Sequence, residues 1–174
     1  MRRRLSKTDK AALYTINEAF TENIEYIIYS SRYGEAERLL KLISQYQEEK
    51  EVSPNIFSGS VHNYPLGFFL LNNKKSIPYN ALSACENTVS IGLLSAILTK
   101  YNNVLFCYSD YEDEKCSSFA ANISKSKEIN SIKYRLKLEN NDNCNDSFNN
   151  FINFLSNNIK EIKTPFYTLE SAVK

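Results

Sequence analysis

The chain of 174 residues has no tryptophan, one methionine and a single histidine, His62. Any cysteine–histidine nucleophile pair within it must therefore use His62. Only 4 glycines and 4 prolines are present, too few for a collagen-like or linker-type chain. An excess of one charge sign is lacking too. Lys and Arg number 21 against 20 Asp and Glu, a formal net charge of +1. That excludes a protein whose overall field drives nucleic-acid or membrane binding, and leaves room only for a local patch. No apolar run approaches the roughly 20 residues that span a bilayer. Basic Met1-Arg2-Arg3-Arg4 leads into Leu5 and polar Ser6-Lys7-Thr8-Asp9-Lys10, so no apolar signal core follows. Without an export signal, Cys85, Cys107, Cys116 and Cys144 read as reduced thiols in a cytoplasmic protein.

What is present is ordinary for a folded domain: 43% hydrophobic and 24% charged residues. Ser6 is placed to cap a first helix whose apolar residues, Leu13, Ile16, Ala19, Phe20, Ile24, Ile27 and Ile28, recur at helical spacing. A second helix is expected over 34–47, with Ala36, Leu39, Leu40, Ile43 and Tyr46 on one face. Pro65–Leu71 is a short continuous apolar run that suits a buried strand, and 76–78 suits a short edge strand after the Asn72-Asn73 turn. A helix is expected from Ser83 to about Lys100, and a strand over 104–108. Acidic Asp110, Glu112, Asp113 and Glu114 read as the start of a further helix containing Cys116, Phe119, Ala120 and Ile123. The same acids have a second reading, as a site for a divalent cation or a basic partner. Ile132, Tyr134, Leu136 and Leu138 alternate with Lys133, Arg135 and Lys137 as a strand does. A helix from Phe148 and a last strand over 164–169 complete the order.

Hairpin, helix with Glu86 near its start, strand, then helix with Cys116 resembles the zinc-dependent cytidine deaminase-like superfamily. Pro65-Leu66-Gly67-Phe68-Phe69-Leu70-Leu71-Asn72-Asn73 stands where that family carries its first strand and turn. The resemblance covers about 65–169 and implies an α/β sandwich, a mixed sheet of about five strands flanked by helices. Residues 60–174 would be the deaminase-like core, and 1–50 an N-terminal helical extension packed on it. In such enzymes a His or Cys and two further Cys hold zinc, and a glutamate moves protons. Glu86 matches the glutamate and Cys116 one ligand, but Ala84 occupies the ligand position two residues before Glu86 and no Cys-x-x-Cys is present. The resemblance therefore implies a pseudoenzyme without a cofactor that works by binding a protein, as complex subunit, inhibitor or immunity-type protein. The alternative is a diverged zinc deaminase using Cys85, Cys116 and Cys107 with Glu86 as proton shuttle.

Each of these residues also has a plainer role. Ser83-x-x-Glu86 fits a capping box. Cys85 and Cys107 suit a core, and His62 suits a loop hydrogen bond. Lys133, Arg135 and Lys137 form either a solvated strand face or a phosphate-contacting strip, to which Lys125, Lys127 and Arg2-Arg3-Arg4 add. That strip makes a small nucleic-acid-binding module the third reading. Tyr14, Tyr26, Tyr29, Tyr33 and Tyr46 gather in the N-terminal region, which marks it as the expected partner surface.

Overall fold

Strand β1, Tyr26–Ser30, is apolar on both faces and nearly all buried, as a central parallel strand must be. Parallel β2 (Tyr79–Leu82) and β3 (Asn103–Glu112) flank it, and β4 (Lys115–Ser124) closes the sheet antiparallel to β3, in the order β2-β1-β3-β4. The computed structural model describes residues 5–126 and 133–172. Arg2, Arg3, Arg4, Lys127 and Ile132 lie outside the described residues. The chain divides into two compact units, Met1–Lys125 and Ser126–Lys174.

In the first unit, alternate residues of each strand serve two layers of helix. Ile27, Tyr29, Leu105 and Cys107 meet Ala12 and Ile16 of α1 (Lys7–Ala19) and Leu66, Phe69 and Leu70 of α4 (Tyr64–Asn72). The opposite face receives α5 (Thr88–Leu98), whose Gly92 lies directly over Ser30 and Phe106. A Cβ on Gly92 would stand 2.7 Å from the Phe106 ring and 2.8 Å from Ser30 Oγ, so this close approach admits only hydrogen. Between β1 and α4 run α2 (Ala36–Glu49) and the short α3 (Pro54–Ser58).

Several sequence expectations are corrected here. Ser6 caps α1, its Oγ accepting from the Asp9 amide at 2.9 Å, but α1 ends at Ala19. Ile27 and Ile28 then belong to β1, so 1–50 is not purely helical and supplies the central strand. Pro65–Leu71 is helical. Its buried members, Pro65, Leu66, Phe69 and Leu70, repeat at helical spacing inside a run that the outward Phe68 and Leu71 make look continuous. The strand after it is Tyr79–Leu82, not 76–78. Asp110 to Glu114 opens no helix: Asp113 and Glu114, at φ 48° and 62°, form the two-residue turn of the β3–β4 hairpin. Cys116, Phe119, Ala120 and Ile123 are therefore strand residues, and their helix-like spacing is accidental.

The second unit is a three-stranded antiparallel sheet, β5 (Tyr134–Leu138), β7 (Tyr167–Ser171) and β6 (Glu161–Lys163) in that order, with helix α6 (Phe148–Leu155). Phe151, Phe154, Ile162, Tyr167 and Leu169 are its buried apolar residues. Ser147 caps α6. Thr164 Oγ1 closes the β6–β7 turn, accepting from the amides of Phe166 and Tyr167 at 3.2 and 3.0 Å.

Replacing Gly92 with alanine forces Phe106 or Ser30 to move and lowers stability by about 1–3 kcal/mol, the usual range for an overpacked core. Urea unfolding of Gly92→Ala measures this, and an unchanged midpoint contradicts the packing described.

Candidate functional site

All three parallel strands point the same way, so their carboxyl ends come out on one edge of the sheet, where open α/β sheets bind their ligands. Three segments meet there: Ser31–Gly34 after β1, Ser83–Asn87 after β2, and Asp110–Glu112 at the end of β3.

Asp110, almost fully buried, organises this edge. One of its oxygens accepts from Ser31 Oγ at 2.9 Å and the Tyr33 amide at 3.0 Å; the other accepts from the Arg32 amide at 2.6 Å. Three donors on one carboxylate satisfy a buried charge and fix the loop. Ser31 Oγ in turn accepts from the amide of Gly34, whose φ of 55° turns the chain toward α2. The loop then reaches across to the next strand. Ser83 Oγ donates to the Arg32 carbonyl at 2.9 Å, and the Arg32 guanidinium pairs with Glu86 and lies 3.8 Å from Glu112. Tyr33 Oη donates to Glu112 at 2.9 Å.

Cys85 sits where β2 gives way to α5, in a single 3₁₀ turn over Cys85–Asn87. Its φ is 50°, a left-handed conformation uncommon for a side-chain-bearing residue, and the thiol is exposed. Thr88 holds the turn, its Oγ1 donating to the Cys85 carbonyl at 2.7 Å and accepting from the Ala84 amide at 3.0 Å. Ser83 thus bonds to Arg32 and makes no capping box with Glu86, contrary to the sequence expectation. A strained, solvent-facing thiol on a strand–turn–helix junction is the geometry in which a nucleophile is presented.

The other sequence-derived candidates are dispersed. Cys107 is fully buried in β3, and burial pushes its thiol up to about 12. Cys116 lies on β4 with its Sγ 3.8 Å from the Lys7 carbonyl, and partial burial and the Asp110 charge raise its pKa. Cys144 is an exposed loop thiol. Among the described residues no three His, Cys, Asp or Glu side chains gather into a group able to hold a metal ion. His62 packs edge-on against Tyr29 at 5.8 Å and walls in Gly34; burial lowers its pKa. On β5, Arg135 and Lys137 both turn to Glu170 of β7, which holds the Glu170 carboxyl below its usual range, while Lys133 is exposed just before the strand. Of the tyrosines, Tyr29 is core, whereas Tyr14, Tyr33 and Tyr46 are exposed.

The structure supplies a direction that the helical spacing left open. The apolar stripe of α2 faces outward: Leu39, Leu40, Ile43 and Tyr46 are 46–64% exposed, and Leu42 is the helix's one buried residue among those described. Leu40 and Ile56 of α3 line a shallow groove rimmed by Glu37, Lys41, Glu48 and Glu49, and Phe57 is exposed beside Ile56. Periodicity finds such a stripe but not which side it faces.

Comparison with known proteins decides the family. The model of the beta-ketoacyl synthase N-terminal domain matches residues 1–149. The chain belongs to the beta-ketoacyl synthase N-terminal domain family. Among solved structures, a chain of the ketosynthase ApeO in complex with its chain length factor ApeC, from Xenorhabdus doucetiae, aligns with a TM-score of 0.75. It shares 19% identity, over 97% of this chain and 79% of that one, a likeness of fold. No curated protein sequence matches. These findings overturn the cytidine deaminase-like resemblance, and with it the pseudo-deaminase and zinc-deaminase readings. The physical reason lies in two elements. The supposed first strand at Pro65–Leu71 is helix, and Cys116 lies on a strand, so the deaminase order of elements is absent from this ketosynthase-type sheet. The α/β class with a mixed sheet stands. Among the described residues no helix is long and apolar enough to cross a membrane.

Asp110→Ala leaves Ser31 Oγ and two loop amides without their acceptor and costs about 3 kcal/mol. Denaturant titration against the parent chain checks this; a loss below about 1 kcal/mol removes Asp110 from its organising role.

Proposed function

We propose that this chain is one member of a two-protein ketosynthase assembly, pairing with a ketosynthase-family partner through the outward face of α2 and α3. The observation that carries this reading is the exposed stripe of Leu39, Leu40, Ile43 and Tyr46, extended by Ile56 and Phe57. Together they leave on the order of 500 Å² of apolar side chain open, at the upper end for a monomer and more than half of what one side of a stable interface covers. The mixed-charge rim around the groove suits an interface with an apolar centre and polar edge. The structural neighbour, a ketosynthase in complex with its chain length factor, supports a partner of this kind.

The test is co-expression with each ketosynthase of the same genome. A stoichiometric complex with at least one is expected, lost in Leu40→Glu/Ile43→Glu with secondary structure and melting temperature unchanged, because both side chains are exposed. A chain that stays free beside all of them, or a complex indifferent to the double substitution, overturns the reading.

Cys85 favours a second reading, in which this subunit takes up an acyl group. The sulfur would attack the carbonyl of an acyl thioester, forming a new thioester at Cys85 and releasing the carrier thiol, which receives the Cys85 proton. Incubation with an acyl-pantetheine thioester is expected to add one acyl mass, lost in Cys85→Ser and kept in Cys116→Ser and Cys144→Ser. No adduct, or one that survives Cys85→Ser, counts against it.

A further inference from the structure

We propose that Asp9 and Glu35 hold a single proton between them at neutral pH, and that this shared proton latches the start of α1 to the start of α2. Two carboxylates and one guanidinium are buried together at this junction. Asp9 is fully buried, Glu35 nearly so, and Arg38 is the cation between them. Arg38 Nη2 donates to Asp9 Oδ2 at 2.8 Å, its Nε lies 3.3 Å from Glu35 Oε2, and its Nη1 donates to the Gly59 carbonyl at 2.6 Å. Ser6 adds two donors, its amide to Asp9 Oδ2 and its hydroxyl to Glu35 Oε1, both at 2.9 Å. Asp9 Oδ1 is left buried and receives no hydrogen from any described donor. A buried carboxylate oxygen without a donor is costly, and the Glu35 carboxyl, within hydrogen-bonding reach of the Asp9 side chain, can supply a proton to this carboxylate.

The surroundings favour the same distribution. Two negative charges against one positive leave an uncompensated buried charge when both acids ionise; one proton makes the cluster neutral. Burial and the neighbouring Asp9 charge together push the Glu35 carboxyl up to about 7. From the other packed elements, Tyr29 of β1 feels the Glu35 charge and remains a neutral phenol, its pKa raised by burial, and the Tyr64 ring of α4 lies 5.2 Å from the Arg38 guanidinium. Lys7 and Glu37, the nearby charged pair on α1 and α2, act on each other at the surface. The sign follows from linkage. The folded state keeps a proton that the unfolded Glu35 releases near its ordinary carboxylate range. The proton's contribution is complete in mild acid and is lost as pH rises through neutrality. Above neutrality the junction that sets the entry of α2 is loosened, whether or not α2 meets a partner.

The experiment pairs a direct and a thermodynamic readout on the whole chain. Infrared spectroscopy at pH 7 is expected to show a protonated-carboxyl stretching band that titrates away in mild alkali and is absent from Glu35→Gln and Asp9→Asn. In chemical unfolding, the equilibrium constant of the parent chain is expected to rise about tenfold or more between pH 5 and pH 8, against a much flatter profile for Glu35→Gln. A parent chain with no such band at pH 7 overturns the proposal without recourse to any variant. So does a pH profile with the same slope in Glu35→Gln.

Discussion

The carboxylate of Asp110 is the constraint on which the functional edge depends. It lies at the end of the long central β3, buried, and it takes three donors from the turn that leaves β1. Those bonds fix where Arg32 emerges and let Gly34 turn the chain into α2. Arg32 then ties the turn after β2 to the end of β3, through its carbonyl to Ser83 and its guanidinium to Glu86. The exposed Arg32–Glu86 pair is worth little by itself in water. Its orientation is inherited from the buried carboxylate beneath it, which is why the strong interaction and the visible one are different residues.

That arrangement separates two surfaces with different chemistry. The carboxyl edge of the sheet is polar and presents Cys85 in a conformation held by Thr88. The α2–α3 face is apolar and carries no buried purpose in this unit, because α1, α4 and α5 already cover both sides of the sheet. The helix whose best apolar stripe points to solvent is anchored at its start by the buried Asp9–Arg38–Glu35 cluster, as the proposed pairing face requires.

The sequence made the helices α1, α2, α5 and α6 legible, together with β3, β5 and the Ser6 cap, because each carries one clear period or one specific capping side chain. It hid β1, whose Ile27 and Ile28 continue the helical spacing of α1, and α4, whose outward Phe68 and Leu71 fill the gaps a helix would show. It misread the hairpin because Asp113 and Glu114 occupy a turn that asparagine and glycine usually fill. At the candidate site, Cys85 and Glu86 stand out in the sequence, but the zinc-deaminase chemistry attached to them falls with the family that implied it. Arg32, Ser31 and Asp110 were not recognised as a unit, since their connection crosses 78 positions of chain and leaves no local pattern. The deaminase resemblance rested on element order, and two wrongly assigned elements were enough to create it.

The central claim, that α2 and α3 form the pairing face of a ketosynthase-family subunit, is tested most directly by amide hydrogen exchange. The chain would be measured alone and with its ketosynthase partner. The account predicts new protection concentrated over 36–58, with the sheet strands β1 and β3 unchanged. Protection confined to other segments, with 36–58 exchanging at the same rate in both states, would contradict it.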